Sequence, residues 1–266
     1  FFRSWDLAGQ YPKILKDEVV GEAAVQLFSD AESMLSELKN NKIIQTKGVI
    51  GFWPANQIEN NHLLVSKDKN SQKILNFIRQ QKFQGTNKPN LCLADYIMPK
   101  ELGVEDYIGG FAVTAGLGVE KKCREYENKN DDYSSIMLKA IADRLAEALA
   151  EYMHQQVRKV HWGYDSKENL SNKELIKENY RGIRPAPGYP ACPDHSEKTK
   201  LFELLEAENI SISLTENYAM IPAASVSGWY FAHEESKYFG VGTIGLDQIK
   251  RLSKISGSKI EFNRKN

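Results

Sequence analysis

Apolar side chains recur every three or four positions along two long stretches of the chain. The first covers residues 19–40, and the second runs from about Asp131 to Arg158 without a glycine or proline. This spacing places side chains on one face of an α-helix, so both stretches are predicted to be amphipathic helices. The predicted core positions are Val20, Ala23, Ala24, Leu27, Phe28, Ala31, Leu35 and Leu38 in the first helix, and Leu138, Ala142, Leu145, Leu149 and Met153 in the second.

Four shorter segments also have helical patterns. Ser71–Gln81 places Ile74, Leu75 and Ile78 on one side, and Ser171-Asn-Lys-Glu174 is a capping box that opens a short helix. The remaining two predicted helices cover residues 197–208 and 246–256.

Several runs rich in β-branched and aromatic residues predict strands. They cover residues 47–54, 63–66, 107–114, 218–221, 225–231 and 238–244, and the run over 225–231 is predicted to be central. Gly109 and Gly110 predict a bulge or a close approach to the backbone. Strands and helices do not alternate regularly, which predicts an α+β fold with a mainly antiparallel sheet flanked by helices. Without an internal repeat or low-complexity linker, residues 1–266 are interpreted as a single domain.

Composition narrows the possible partners. Hydrophobic residues make up 41% and charged residues 26% of the chain, and 35 basic side chains balance 35 acidic ones. This balance gives no indication of binding to nucleic acid or to an anionic membrane, and no run is apolar enough to span a bilayer. Three scattered cysteines argue against a disulfide framework and favour a reducing, cytoplasmic location. The start at Phe1-Phe2 indicates a segment of a longer polypeptide.

The segment Arg184–Ser196 concentrates unusual residues. Its thirteen residues include four prolines, and proline fixes φ and removes a backbone donor, so a stiff loop is predicted. Arg184 carries a planar donor group suited to a carboxylate or phosphate, and Gly188 allows close approach to the backbone. Ser196 is placed to cap the following helix. The loop is therefore either a ligand cradle, or a proline-stiffened crossover whose Arg184 pairs with a nearby acid.

Other candidate chemistry is weak. Cys192-Pro-Asp-His195 lacks a second ligand pair, so a structural metal site is not predicted. No nucleophile elbow, metalloprotease or P-loop motif is present, and Gly116-Leu-Gly118 lacks the third glycine of a dinucleotide fingerprint. Asp143, Glu147, Glu151 and His154 share one face of the long helix, which is either a solvated face or part of a site.

The chain resembles the C-terminal reactivation domain of cobalamin-dependent methionine synthase. That family's adenosylmethionine signature is an arginine, three residues and then Gly-Tyr, which here reads Arg184-Pro-Ala-Pro-Gly188-Tyr189. The likeness covers nearly the whole chain in order. It includes Trp5-Asp-Leu-Ala-Gly9, Gly51-Phe-Trp-Pro-Ala-Asn56, Cys92-Leu-Ala-Asp95, Asp143-Arg-Leu-Ala-Glu147, Ala224-Ser-Val-Ser-Gly-Trp-Tyr-Phe231 and Ser236-Lys-Tyr-Phe239.

The resemblance implies a function that needs no catalytic side chain. Such a domain presents S-adenosylmethionine (AdoMet) to cobalamin held by an upstream domain, while a flavodoxin-type protein supplies one electron to inactive cob(II)alamin. Methyl transfer then restores methylcobalamin, and the reduced cobalt is the nucleophile. The isolated chain is expected to bind AdoMet without turnover, and zinc is expected only in another domain of the full-length enzyme.

The resemblance also assigns roles within the loop. It implies that Arg184 pairs with the carboxylate of AdoMet and that Gly188 lets the ligand lie against the backbone. Ala191 is expected to offer main-chain groups to the adenosine. Tyr189 is expected near the reacting face, between the ligand and the corrin.

Further positions match contact residues of the family elsewhere in the chain. Tyr238 and Phe239 match a second contact segment, where relatives can have tyrosine in place of Phe239. Asp143 and Glu147 match acidic positions that face the ligand and the cobalamin domain, and an acid suits a ligand with an ammonium and a sulfonium group. The family also uses an aspartate a few residues before the position of Phe1-Phe2, which this chain does not include.

Two other functions compete with this interpretation. A stand-alone methyltransferase for a small molecule would need a glycine-rich turn after an early strand, which is not found. A docking module for a flavodoxin-type partner, without a small ligand, could use lysines to attract an acidic surface. Candidates for that surface are Lys67, Lys69, Lys73 and the pair Lys121–Lys122.

Overall fold

The computed structural model describes residues 1–68, 71–81, 88–245 and 248. Within these residues helices and strands are mixed without βα alternation, which confirms the predicted α+β class. The α-helices are α1 Gly21–Asn40, α2 Val119–Glu127, α3 Asp132–Gln156, α4 Asn172–Ile176 and α5 Glu197–Leu205. The strands are β1 Gln45–Ile58, β2 His62–Asp68, β3 Ser71–Asn76, β4 Asp106–Leu117, β5 Ser213–Leu214, β6 Met220–Ile221 and β7 Ser225–Tyr230.

The main sheet has five strands in the order β3-β2-β1-β4-β7. β1 pairs antiparallel with β2, with Ala55 opposite Val65, and β2 pairs antiparallel with β3, with Leu63 opposite Leu75. β5 and β6 form a separate two-stranded antiparallel ladder. The prediction of a mainly antiparallel sheet with helices is confirmed.

Contacts divide the chain into two compact units. Unit 1 comprises residues 1–49, 112–153 and 207–226, and unit 2 comprises residues 50–111, 154–206 and 227–266. The main sheet strands β1, β4 and β7 and the helix α3 each contribute residues to both units.

The core of unit 1 is built on the predicted helices α1 and α3. Its buried apolar side chains on α1 include Ala24, Leu27 and Met34. The pattern predicted Leu35 in the core, but Leu35 is exposed and its neighbour Met34 is buried. On α3 the buried side chains include Ile141 and Ala142. Both helix predictions are confirmed, and Ala24, Leu27, Ala31 and Leu38 of the predicted α1 stripe are buried.

The core of unit 2 relies on glycines that admit aromatic rings. A Cβ on Gly109 would lie 3.1 Å from Cδ1 of the Phe52 ring, and one on Gly110 would lie 3.0 Å from Cζ3 of the Trp53 ring. The Phe111 ring stacks on Tyr230 with centroids 4.8 Å apart. The predicted close approach to the backbone at Gly109 and Gly110 is confirmed, and the groups that approach are side chains.

The prediction of a helix over Ser71–Gln81 is wrong. Residues 71–76 form β3, in which Ile74 is 42% exposed while Leu75 is fully buried against β2. The spacing of Ile74, Leu75 and Ile78 fits a helix as well as it fits a short strand. Pairing with β2, whose partner side chain Leu63 is fully buried, decides in favour of the strand.

The prediction of a strand over residues 238–244 is also wrong. This segment has no regular secondary structure, and Gly242 has a positive φ of 79°, which interrupts an extended chain. Its backbone forms single hydrogen bonds, such as Val241 N–H donating to the Pro190 carbonyl at 3.0 Å. The predicted final helix over 246–256 lies outside the described residues except for Gln248.

β7 ends the order of the main sheet, so the prediction that it is central is wrong. Two further predictions near it hold in part. The strand predicted over residues 218–221 forms only at Met220–Ile221, and Tyr218 has a positive φ of 60°. Ser196 occupies the N-cap of α5 as predicted, but its side chain forms no capping hydrogen bond. No helix among the described residues is long and apolar enough to cross a membrane.

Candidate functional site

β7 fixes the backbone on both sides of Arg184. Ile183 and Phe231 exchange two backbone hydrogen bonds of 3.0 Å, and Trp229 N–H donates to the Pro185 carbonyl at 2.9 Å. Gly228 makes this possible, since a Cβ there would lie 2.9 Å from that carbonyl oxygen. The strand edge that would otherwise be unpaired therefore holds Arg184 at a defined position.

The remainder of the loop closes into a tight turn. Gly188 N–H donates to the Cys192 carbonyl at 2.7 Å, and Cys192 N–H donates to the Tyr189 carbonyl at 2.9 Å. The turn leaves Tyr189 67% exposed and buries Ala191. Tyr189 thus presents its ring to the surroundings, while the Ala191 side chain anchors the loop to unit 2.

Gly188 is required by the loop itself. Its φ is +97°, a conformation that favours glycine, and a Cβ there would overlap the imidazole ring of His195. Lys198 Nζ lies 3.2 Å from His195 Nδ1. The sequence alone suggested that a ligand explains this glycine, and the structure adds a packing reason within the chain.

The guanidinium of Arg184 is held on one side. Its Nη1 lies 2.7 Å from the Tyr180 hydroxyl and 3.2 Å from Nδ1 of His154. Arg184 remains partly exposed, while Tyr180 is mostly buried and His154 is completely buried. Both hydrogens of Nη1 therefore have partners inside the protein, and the side chain is oriented before any ligand arrives.

The segment around Tyr238 is fastened to the same loop. Arg184 N–H donates to the Tyr238 hydroxyl at 3.0 Å, and Gln80 Nε2 donates to the Gly240 carbonyl at 3.0 Å. Phe239 packs against a small cluster of Ile78 and Val241. The structure thus brings Tyr238 next to Arg184, and it places Phe239 largely in packing.

A buried ion pair supports the aromatic residue beneath Arg184. The carboxylate of Glu168 accepts hydrogen bonds from Nε and Nη2 of Arg158, the latter at 3.0 Å, and both side chains are almost fully buried. The Arg158 guanidinium lies 4.0 Å from the centre of the Tyr180 ring. Arg158 lies in a π-helical turn, Val157–His161, which follows α3 directly, and such turns often accompany functional sites.

Asp143 and Glu147 lie on α3 in unit 1 and are both exposed. Glu147 forms an ion pair of 3.0 Å with Arg144, its neighbour three residues earlier. Asp143 lines a cavity of about 650 Å³ together with residues of α2 and the segment 221–224. Along the same helix face His154 is fully buried, so the predicted stripe is solvated at one end and inside the protein at the other.

The Cys192–His195 segment does not gather metal ligands. Cys192 is buried, and burial raises the pKa of its thiol well above the usual value. Asp194 accepts hydrogen bonds from both the backbone and hydroxyl of Ser196, at 2.8 and 2.7 Å. Over residues 1–68, 71–81 and 88–245, no group of three His, Cys, Asp or Glu side chains could hold a metal ion.

Sequence reasoning missed the two residues that orient Arg184. The sequence pattern places His154 only at the end of the acidic stripe, and no pattern singles out Tyr180. His154 lies 30 residues before Arg184, and the chain from Tyr180 to Arg184 forms neither a helix nor a strand, so no local periodicity links either residue to Arg184. Only the burial of a histidine on a helix face could have indicated such a role.

An apolar cavity lies within unit 1. Its volume is about 670 Å³, and α1 and α3 form much of its wall. Its lining residues include Phe2, Tyr11, Phe28, Ile141 and Leu145. The cavity has the apolar lining common in small-molecule sites, but only a few polar groups.

Two comparisons with known proteins each cover nearly the whole chain. Residues 1–257 match a family described as the activation domain of vitamin B12 dependent methionine synthase. A crystal structure of the MetH reactivation domain bound to AdoHcy is 50% identical in sequence and superposes with a TM-score of 0.92. The match covers 97% of this chain and 80% of that one.

Proposed function

Because this chain belongs to the family of vitamin B12 dependent methionine synthase activation domains, we propose that it binds AdoMet at the Arg184–Ser196 loop. Methionine synthase is a methyltransferase, and the chain is its activation domain. The relative crystallised with AdoHcy, the product left when AdoMet loses its methyl group, supports a binding site for this ligand.

The observation that carries the proposal is the preorganised guanidinium of Arg184. Its backbone is fixed by β7, and its Nη1 is engaged by His154 and Tyr180, so the guanidinium is oriented before a ligand carboxylate arrives. A planar two-donor edge matches a carboxylate, and such charged pairs contribute about 1.5–3 kcal/mol. The orientation already exists in the protein, so binding loses less conformational entropy.

The other loop residues complete the ligand surface in this proposal. Tyr189, exposed at the turn, covers the face at which the methyl group leaves. The main chain at Ala191 meets the adenosine, and the Tyr238 hydroxyl borders the site through its bond to Arg184 N–H. Phe239 contributes packing rather than a polar contact.

In this proposal Asp143 and Glu147 are part of a docking surface for another domain. Their exposure on α3 supports a contact with the cobalamin-carrying domain of the full-length enzyme. A carboxylate near a sulfonium ligand or the edge of a cofactor domain provides favourable electrostatics without acting as a base.

The chain contributes position rather than a reactive group. One electron from a flavodoxin-type donor would reduce cob(II)alamin, the substrate held by another domain, to cob(I)alamin, whose electron pair would accept the methyl of AdoMet as the C–S bond breaks and AdoHcy leaves. No side chain of this domain needs to be a nucleophile or a general base. We propose that the isolated chain binds AdoMet without turnover, that zinc belongs to another domain, and that three free thiols suit the cytoplasm.

A docking module without a small ligand is less well supported. Lys67 pairs with Glu206 at 2.7 Å, Lys73 pairs with Glu203, and Lys122 lies 3.5 Å from Glu37. These lysines are engaged within the chain, and Lys69 lies outside the described residues.

Calorimetric titration of AdoMet into the wild type and Arg184→Ala tests the proposal. The wild type should bind, and Arg184→Ala should bind at least about tenfold more weakly, because it loses a charged hydrogen-bonded pair. Arg181→Ala is the matched control, since this arginine lies three residues away and bonds to the Ala232 carbonyl instead. Equal affinity of wild type and Arg184→Ala would contradict the assignment, and methylation of a small molecule without corrinoid would favour a stand-alone methyltransferase.

A further inference from the structure

We propose that His154 is a positioning residue that fixes the guanidinium of Arg184 for ligand binding. It acts as a neutral acceptor at Nδ1. This inference rests on the proposed function, since it concerns the affinity of the same site for AdoMet.

The tautomer of His154 follows from its partners. Arginine can only donate, so Nδ1, which lies 3.2 Å from Arg184 Nη1, must be the unprotonated nitrogen of the ring. The proton of the neutral ring then lies on Nε2, which is 3.4 Å from the Tyr164 hydroxyl. A proton on Nδ1 would place two donors face to face.

Packing holds the ring of His154 in this orientation. It stacks on Tyr230 with centroids 5.0 Å apart and planes 17° apart, and it meets Tyr180 edge to face, also at 5.0 Å. The side chain is 0% exposed. The ring therefore cannot turn without displacing two aromatic neighbours, and its acceptor stays aimed at Arg184.

The surroundings keep His154 neutral. Burial lowers its pKa well below the ordinary value, and the positive charges of Arg158 and Arg184 act in the same direction. Tyr164, Tyr180 and Tyr230, whose rings or hydroxyls contact it, are further titratable groups around His154. A neutral acceptor can bind a permanently charged arginine, and a protonated one would repel it.

The variants His154→Phe and His154→Asn separate positioning from packing. Phenylalanine retains the ring contacts and removes the acceptor, whereas asparagine keeps an acceptor near the place of Nδ1 and loses the ring. Calorimetric titration should show AdoMet bound about tenfold more weakly by His154→Phe, with His154→Asn closer to the wild type. The reverse order of affinities would overturn the inference, because it would mean that only the ring matters.

A double-mutant cycle shows whether His154 acts through Arg184. The loss caused by His154→Phe should nearly vanish when Arg184 is already alanine, because the residue that it positions is gone. Equal losses in both backgrounds would overturn this inference and leave the proposed function intact. If Arg184→Ala alone binds like the wild type, both the proposed function and this inference fail.

Nitrogen NMR of the wild-type imidazole tests the geometry without any variant, should one of them not fold. We expect an unprotonated Nδ1 and a protonated Nε2, with the Nδ1 resonance shifting when AdoMet is added. A proton on Nδ1, or an Nδ1 resonance that does not shift at saturating AdoMet, would overturn the inference.

Discussion

For single residues, the candidate site depends on which side chains hydrogen-bond to Arg184 inside the protein. Arg184 is exposed enough to meet a ligand, yet one of its nitrogens is fully engaged by His154 and Tyr180. Tyr180 in turn packs on the buried Arg158–Glu168 pair. A charge that is partly satisfied by fixed neighbours needs little reorganisation when the ligand binds.

His154 should make stability depend on pH. Its folded-state pKa lies below the ordinary value of 6.5, so the unfolded chain binds a proton that the folded chain rejects. Stability is therefore complete above about pH 6.5 and falls as the pH is lowered toward the folded pKa. The loss approaches about 1.4 kcal/mol per pH unit for one proton.

Urea unfolding of the wild type and His154→Phe between pH 8 and pH 5 measures this effect. All other titrating groups are shared, so the difference between the two curves isolates His154. The difference should shrink or reverse as the pH falls below about 6.5. Parallel curves across the whole range would show that the folded protein does not exclude the proton.

At the scale of elements, the Arg184 loop is an extension of the sheet. β7 ends the strand order, and its outer edge pairs with Ile183 and Pro185 rather than with another strand. Pairing the edge also protects it from other chains. The segment 238–241 then closes over the loop with isolated hydrogen bonds.

The turn at Gly188 should tolerate no side chain. Gly188→Ala introduces a strained positive φ and a clash with His195, so it should destabilise the protein by about 2 kcal/mol and weaken AdoMet binding. Gly103→Ala is the control, since φ is +66° there and nothing lies within 4 Å of its added Cβ. Chemical unfolding and titration measure both changes.

The clash at Gly188 can be separated from the backbone strain. Adding His195→Ala to Gly188→Ala should recover the part of the stability that the clash costs. A Gly188→Ala protein as stable as the Gly103→Ala control would show that the His195 ring yields and that only φ matters.

The pattern of apolar residues predicted the long helices correctly, but it failed for β3 and for the segment 238–244. α1 and α3 are long and strongly periodic, so their existence could be predicted from the sequence. β3 is short, and its apolar residues fit both periods, so its conformation depends on β2. The segment 238–244 is rich in aromatic residues, but its bonds lead to a loop rather than to a strand, and no local signal shows this.

At the scale of the whole molecule, the loop motif identified the candidate site, while its support could not be predicted. Arg184, Gly188 and Tyr189 stand in one motif, from which their roles were predicted. His154 and Tyr180 reach Arg184 only because α3, its π-helical turn and the chain at residue 180 meet in the folded unit 2. Contacts between distant segments carry no signature in one sequence.

A crystal structure of this chain with AdoHcy, the product of methyl transfer, tests the binding site most directly. We expect the amino-acid carboxylate about 3 Å from the guanidinium of Arg184, with Nη1 still bonded to His154 and Tyr180. Nucleoside density in the apolar cavity beside Tyr11 and Phe28, with Arg184 contacting no ligand, would contradict it.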